Sequence, residues 1–219
     1  MAKSTTAGET TRKPAARKPA ARKTVAKRKS SSAAESPYDA KPWLQSYPAD
    51  VPADIAPLAY NSVAELLEDS CRKFSDKPVF SCMGKTISYA ELDAQTAHFG
   101  AFLQSELGLP KGARVALMMP NVLQYPIALF GALRAGYTVV NVNPLYTARE
   151  LEHQLKDAGA DAIVILENFA HTLEHVRARV PVKHVVVASM GEMLGFPKGA
   201  IVNFVVRRVR KMVPAWTLD

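Results

Sequence analysis

The chain has 219 residues, of which 48% are hydrophobic and 22% charged, the composition of an ordinary globular protein. Its net charge of +8 is unevenly placed: residues 1–30 hold ten Lys or Arg against the single acid Glu9, leaving 18 bases and 19 acids for everything after. A wholly basic fold and a collagen-like or low-complexity protein are thereby excluded. No stretch of 18 uninterrupted apolar residues occurs, because the most apolar region, 116–142, is broken by Pro120, Asn121, Gln124, Pro126 and Arg134. Cys71 and Cys82 lack metal or redox spacing and read as free thiols in a reducing cytosol.

Residues 1–40 form the first segment. Arg-Lys-Pro-Ala-Ala occurs at 12–16 and again at 17–21, Pro14 and Pro19 block helix propagation, and no large apolar side chain precedes Val25. Such a segment cannot offset its own ordering entropy and is expected to be a disordered polycation. Lys13, Arg17, Lys18, Arg22 and Lys23 are candidate contacts for nucleic acid, polyphosphate or anionic lipid. A purely solubilising extension is the competing reading.

From Lys41 to Asp219 the chain changes character. Three helix starts carry a hydroxyl at the N-cap and Glu three residues on: Ser62 with Glu65, Ser88 with Glu91, and Thr147 with Glu150. Ile87 with Leu92 and Tyr146 with Leu151 add hydrophobic staples. In chain order the pattern predicts helix 62–75, a hairpin of strands 78–82 and 85–88 around Gly84, and helix 89–106 ending at Gly108. Strand 113–119 comes next, then a helix to Ala135 with Pro126 in or near its first turn. Strand 137–142, helix 148–158 closed by Gly159, strand 161–166, helix 169–179 and strand 183–188 complete the series. Apolar strands alternating with amphipathic helices predict an α/β fold, a doubly wound, mostly parallel sheet with helices on both faces.

Few motifs carry chemistry. There is no G-x-G-x-x-G and no G-x-x-x-x-G-K-S/T; the nearest run, Gly195 to Gly199 with Lys198, lacks the small and hydroxyl residues of a phosphate cradle and reads as a turn before a helix. His171, Glu174 and His175 fit the H-x-x-E-H zinc pattern, but a third ligand would have to lie in the 44 residues after His175, and a plain helix surface explains them. On a helical wheel of 201–213, Ile201, Val202, Val205, Val206, Val209, Met212 and Val213 share one face. Asn203, Arg207, Arg210 and Lys211 lie opposite. Such a basic amphipathic helix either covers a sheet or lies on an anionic membrane, with Arg207, Arg210 and Lys211 as candidate contacts.

Longer blocks carry a resemblance. Lys41-Pro42-Trp43-Leu44, followed by Tyr47-Pro48 and Asp50-Val51-Pro52, resembles the start of bacterial long-chain fatty acid–CoA ligases. Ile87-Ser88-Tyr89-Ala90-Glu91-Leu92 is similar to the first core motif of adenylate-forming (AMP-binding) enzymes. Residues 114–121, 124–126, 130–136 and 141–147 resemble the second core region of that ligase subfamily. Residues 150–155, 168–173, 203–206 and 213–214 extend the likeness, which covers roughly 41–219.

The resemblance implies the N-terminal portion of a long-chain acyl-CoA synthetase, converting ATP, fatty acid and CoA to acyl-CoA, AMP and pyrophosphate through an acyl adenylate. ATP, Mg²⁺ and CoA are implied as cofactors, and a homodimer is a further implication for the full-length enzyme. The family's phosphate loop, aromatic-Gly-x-Thr-Glu block, ribose-binding Asp and C-terminal lysine do not occur in the 219 residues. The phosphate loop is expected downstream of Asp219, so no catalytic or cofactor-binding residue is assigned and the piece is expected to be inactive alone, with an exposed apolar face. A cytoplasmic location, peripheral on the membrane's cytoplasmic face, is the matching expectation. A different class of reading is a non-catalytic, ligase-derived binding module tethered by its basic tail to nucleic acid, polyphosphate or anionic membrane.

Overall fold

The computed structural model describes residues 38–218, which divide into two units between Ala56 and Pro57. In the first, a turn at Tyr38 leads into a 3₁₀ helix, Pro42–Ser46. The rings of Tyr38 and Trp43 are tilted against each other with centroids 6.4 Å apart, and Lys41 pairs with Asp54 at 3.1 Å.

In the second unit helix α1 (Val63–Lys73) precedes an antiparallel hairpin, β1 (Pro78–Cys82) and β2 (Lys85–Ser88). Met83 and Gly84 both take positive φ, 50° and 74°, as the tight turn with the right-handed strand twist requires. Helix α2 (Tyr89–Ser105) comes next. Then strands β3 (Arg114–Met118), β4 (Thr138–Asn141), β5 (Ala162–Leu166) and β6 (His184–Ala188) form a parallel sheet in the order β4-β3-β5-β6. Helices α3 (Gln124–Arg134) and α4 (Ala148–Ala158) make the crossovers β3 to β4 and β4 to β5.

Both sheet faces are covered. Val115, Leu117, Val164 and Leu166 pack beneath α2 and α3 through Leu103, Ala128 and Ala132. Their alternates Ala116, Met118, Ile163 and Ile165 pack on α4 through Leu151 and Leu155. Every residue of β5 is buried, as expected of a central parallel strand. A third cluster, including Leu67, Ile87, Leu92 and Ile127, joins α1, the hairpin and α3. Helices α2 and α3 cross at Gly100 and Gly131, where a Cβ on Gly100 would stand 2.9 Å from the Gly131 carbonyl oxygen. That closeness admits only hydrogen.

Two of the three N-terminal caps close as expected: Ser88 with Glu91 and Thr147 with Glu150 exchange side-chain and backbone bonds both ways. At α1 the Ser62 hydroxyl accepts from Glu65 N–H, but the Glu65 carboxylate reaches one residue further, to Asn61 N–H at 2.8 Å. Gly159 takes φ 60° and ends α4 with its N–H on the Leu155 and Lys156 carbonyls.

The helix expected over 169–179 is shorter. One α-turn, α5 (Ala170–Glu174), lies between 3₁₀ turns Glu167–Phe169 and Arg177–Arg179. Leu173 and Val176 are both fully buried three residues apart, and Val176 N–H bonds Leu173 O at 3.0 Å, so tighter winding meets the packing demand here. The helix expected over 201–213 starts earlier and changes type: α6 (Lys198–Phe204) passes into a π-turn, Val205–Val209, whose Val205 carbonyl accepts from Arg210 N–H at 2.7 Å. No helix among the described residues is long and apolar enough to cross a membrane.

On α1, Asp69 accepts from Tyr60 Oη at 2.5 Å and pairs with Lys73 at 2.7 Å and Arg72 at 3.3 Å. Lys73 above all, then Tyr60, holds its carboxyl down to about 2. A depressed carboxyl stabilises the fold fully above its ordinary value of 3.8 and loses that contribution as pH falls towards 2. Acid unfolding followed by circular dichroism is therefore expected to be flatter between those values for Asp69→Asn than for the parent. An identical acid limb would show that Asp69 is unpaired in solution.

Candidate functional site

In an open parallel sheet, ligand sites gather beyond the carboxyl ends of the strands where the winding direction reverses. Here that point lies between β3, whose chain leaves toward α3, and β5, whose chain leaves toward α5. A polar network lines this edge. Tyr125 Oη donates to Asn141 Oδ1 at 2.8 Å, Gln154 Nε2 to the Asn141 carbonyl at 2.9 Å, and Gln124 Nε2 to the Ser189 carbonyl at 2.8 Å. Next to β5 sit Glu167 and Asn168, two of three buried polar residues among the described ones.

Glu167 is the most consequential group. Its carboxylate accepts from Arg207 Nε at 3.0 and 2.9 Å and from Nη2 at 2.8 Å, a bidentate pair in which the Glu side chain is 6% exposed and the Arg 46%. The same stretch is fixed elsewhere along its length. Gly199 meets Gly191 backbone to backbone with no room for a Cβ. Asn203 accepts from Gly191 N–H at 2.7 Å and donates to Ser189 Oγ at 3.0 Å, Asn168 Nδ2 donates to Met212 O at 3.1 Å, and Thr217 N–H donates to Glu174 at 3.0 Å.

Residues 199, 203 and 207 lie at i, i+4 and i+8, so the docked face of α6 is a polar seam. This departs in part from the orientation expected from the wheel: Asn203 and Arg207 bond to the protein, Ile201, Val209 and Met212 of the apolar face are exposed, and Val202, Val205, Val206 and Val213 are half-buried. The cause is the acid at the end of β5, which needs a cation and takes Arg207. The π-turn adds a residue to the winding and rotates the residues after it by ~100°.

Arg207 is therefore committed to Glu167, whereas Arg210 and Lys211 are exposed at the surface, joined by Arg208, which the helical wheel does not single out. Glu167, an acid placed directly after the apolar run of β5, was the signal that could have separated Arg207 from its neighbours. Lys13, Arg17, Lys18, Arg22 and Lys23 lie outside the described residues, as does almost all of the segment 1–40.

The run Gly195 to Gly199 does not form a phosphate cradle. Between Gly195 and Gly199 the Gly199 N–H is taken by the Gly195 carbonyl at 2.6 Å, Gly191 fills the space against Gly199, and Lys198 Nζ is spent on the Met83 carbonyl. A cradle needs free N–H groups pointing at an anion. The turn-before-helix reading stands, since α6 starts at Lys198. His171 and His175 are packed edge to face at 6.2 Å, and no group of three His, Cys, Asp or Glu among the described residues has metal-binding spacing.

Displaced titrations fall away from the sheet edge. Lys156 and then Arg179 hold Glu152 below the usual carboxylate range, the Thr147 backbone N–H does the same for Glu150, and burial pushes the Cys71 thiol and the Tyr137 phenol up. These are ion pairs, a helix cap and core groups rather than an acid–base pair.

The profile of AMP-binding enzymes matches residues 67–211. The chain belongs to the AMP-binding enzyme family. It is 56% identical over 178 residues to a long-chain-fatty-acid–CoA ligase of Yersinia pestis, covering 81% of this chain and 32% of that protein. A Bacillus subtilis ligase of the same description is 38% identical over 161 residues, covering 74% and 28%. The chain thus spans about a third of the length of these relatives. In fold it matches a long-chain-fatty-acid-CoA ligase from Archaeoglobus fulgidus (TM-score 0.56, 24% identity, 64% of this chain and 30% of that one). It also matches the N-terminal domain of FACL13 from Mycobacterium tuberculosis (TM-score 0.55, 23% identity, 59% and 34%). The α/β architecture expected from the sequence is that of the N-terminal domains of adenylate-forming enzymes.

Proposed function

We propose that this AMP-binding chain supplies the first sheet-and-helix layer of a long-chain fatty acid–CoA ligase. The reaction joins a fatty carboxylate to AMP with loss of pyrophosphate, and CoA thiol then displaces AMP to give the thioester. The observation that carries the reading is identity of 49–56% with long-chain-fatty-acid–CoA ligases across 178 residues. Because the described residues present no phosphate cradle, ATP, Mg²⁺ and CoA are assigned to the whole enzyme. The 219 residues by themselves are expected to release no pyrophosphate.

A chimera tests the substrate class. Replacing the matching first third of the Yersinia pestis ligase with residues 41–218 should give an enzyme that forms palmitoyl-CoA and leaves acetate untouched. A folded chimera that thioesterifies short or aromatic acids in preference to palmitate would reject the long-chain reading. The ten bases of residues 1–30 favour a second, additional role as a polyanion tether. Heparin retention that survives removal of residues 1–30 would reject it.

A further inference from the structure

We draw no further inference here: the strongest candidate, the apolar cavity of about 390 Å³ lined by Phe99 of α2, Ile127 of α3 and Val186 of the edge strand β6, is an unpartnered face of the fold, and nothing in the structure shows what covers it.

Discussion

Arg207→Ala is expected to destabilise the chain by about 2–3 kcal/mol, and by clearly more than Glu167→Gln. Removing one partner of a buried pair costs about 3–5 kcal/mol, and the lower figure here allows for the half-exposed guanidinium. The asymmetry is the informative part. Without Glu167's charge, Arg207 still has water within reach, and a glutamine preserves an acceptor, so the cost should stay near about 1 kcal/mol. Without Arg207, a carboxylate only 6% exposed is left at the end of β5 with no cation. Urea unfolding midpoints measure both, and hydrogen exchange should show residues 198–209 losing protection first in Arg207→Ala. Equal, small effects would mean that the pair is a surface bridge and that α6 is not pinned by it.

Ile163→Ala should be larger still, at about 3–4 kcal/mol, from lost transfer energy and the cavity left behind. Ile163 is fully buried on β5, packed on the α4 side of the sheet. For a domain whose total stability is ~5–15 kcal/mol, that is a large fraction. Ile201→Ala removes the same atoms from a side chain 58% exposed and should change stability by no more than about 0.5 kcal/mol. Thermal or urea denaturation of the pair gives the contrast directly. A comparable loss at Ile201 would place that side chain in a protein contact, against its exposure in the fold.

The contrast between those isoleucines also marks how far sequence patterning reaches. Strands and helices were legible because burial imposes a period: β5 reads Ala-Ile-Val-Ile-Leu between a closing Gly159 and the next helix, and α4 is bracketed by Thr147, Glu150 and Gly159. Caps are local chemistry, so two of three closed as expected, and at the third Glu65 accepts from both the N–H and the side-chain amide of Asn61.

Orientation was another matter. A helical wheel tells which residues share a face and says nothing of which face meets the protein. For α6 that choice is made by Glu167 and by the backbone contact of Gly191 with Gly199, both remote along the chain or invisible in a pattern of side chains. The π-turn, which needs one residue more per turn, leaves no mark in composition. The turn before α6 was legible from Gly195 and Pro197; the way Lys198 turns to Met83 was not.

Reconstitution in trans is the most direct test that this chain is one layer of an acyl-activating enzyme. The 219-residue chain and the remaining two-thirds of the Yersinia pestis ligase, prepared separately, should each be silent with ATP and palmitate. Mixed, they should release pyrophosphate in a palmitate-dependent manner. Pyrophosphate release by the 219-residue chain alone, or a tightly associated mixture that stays silent, would contradict the account.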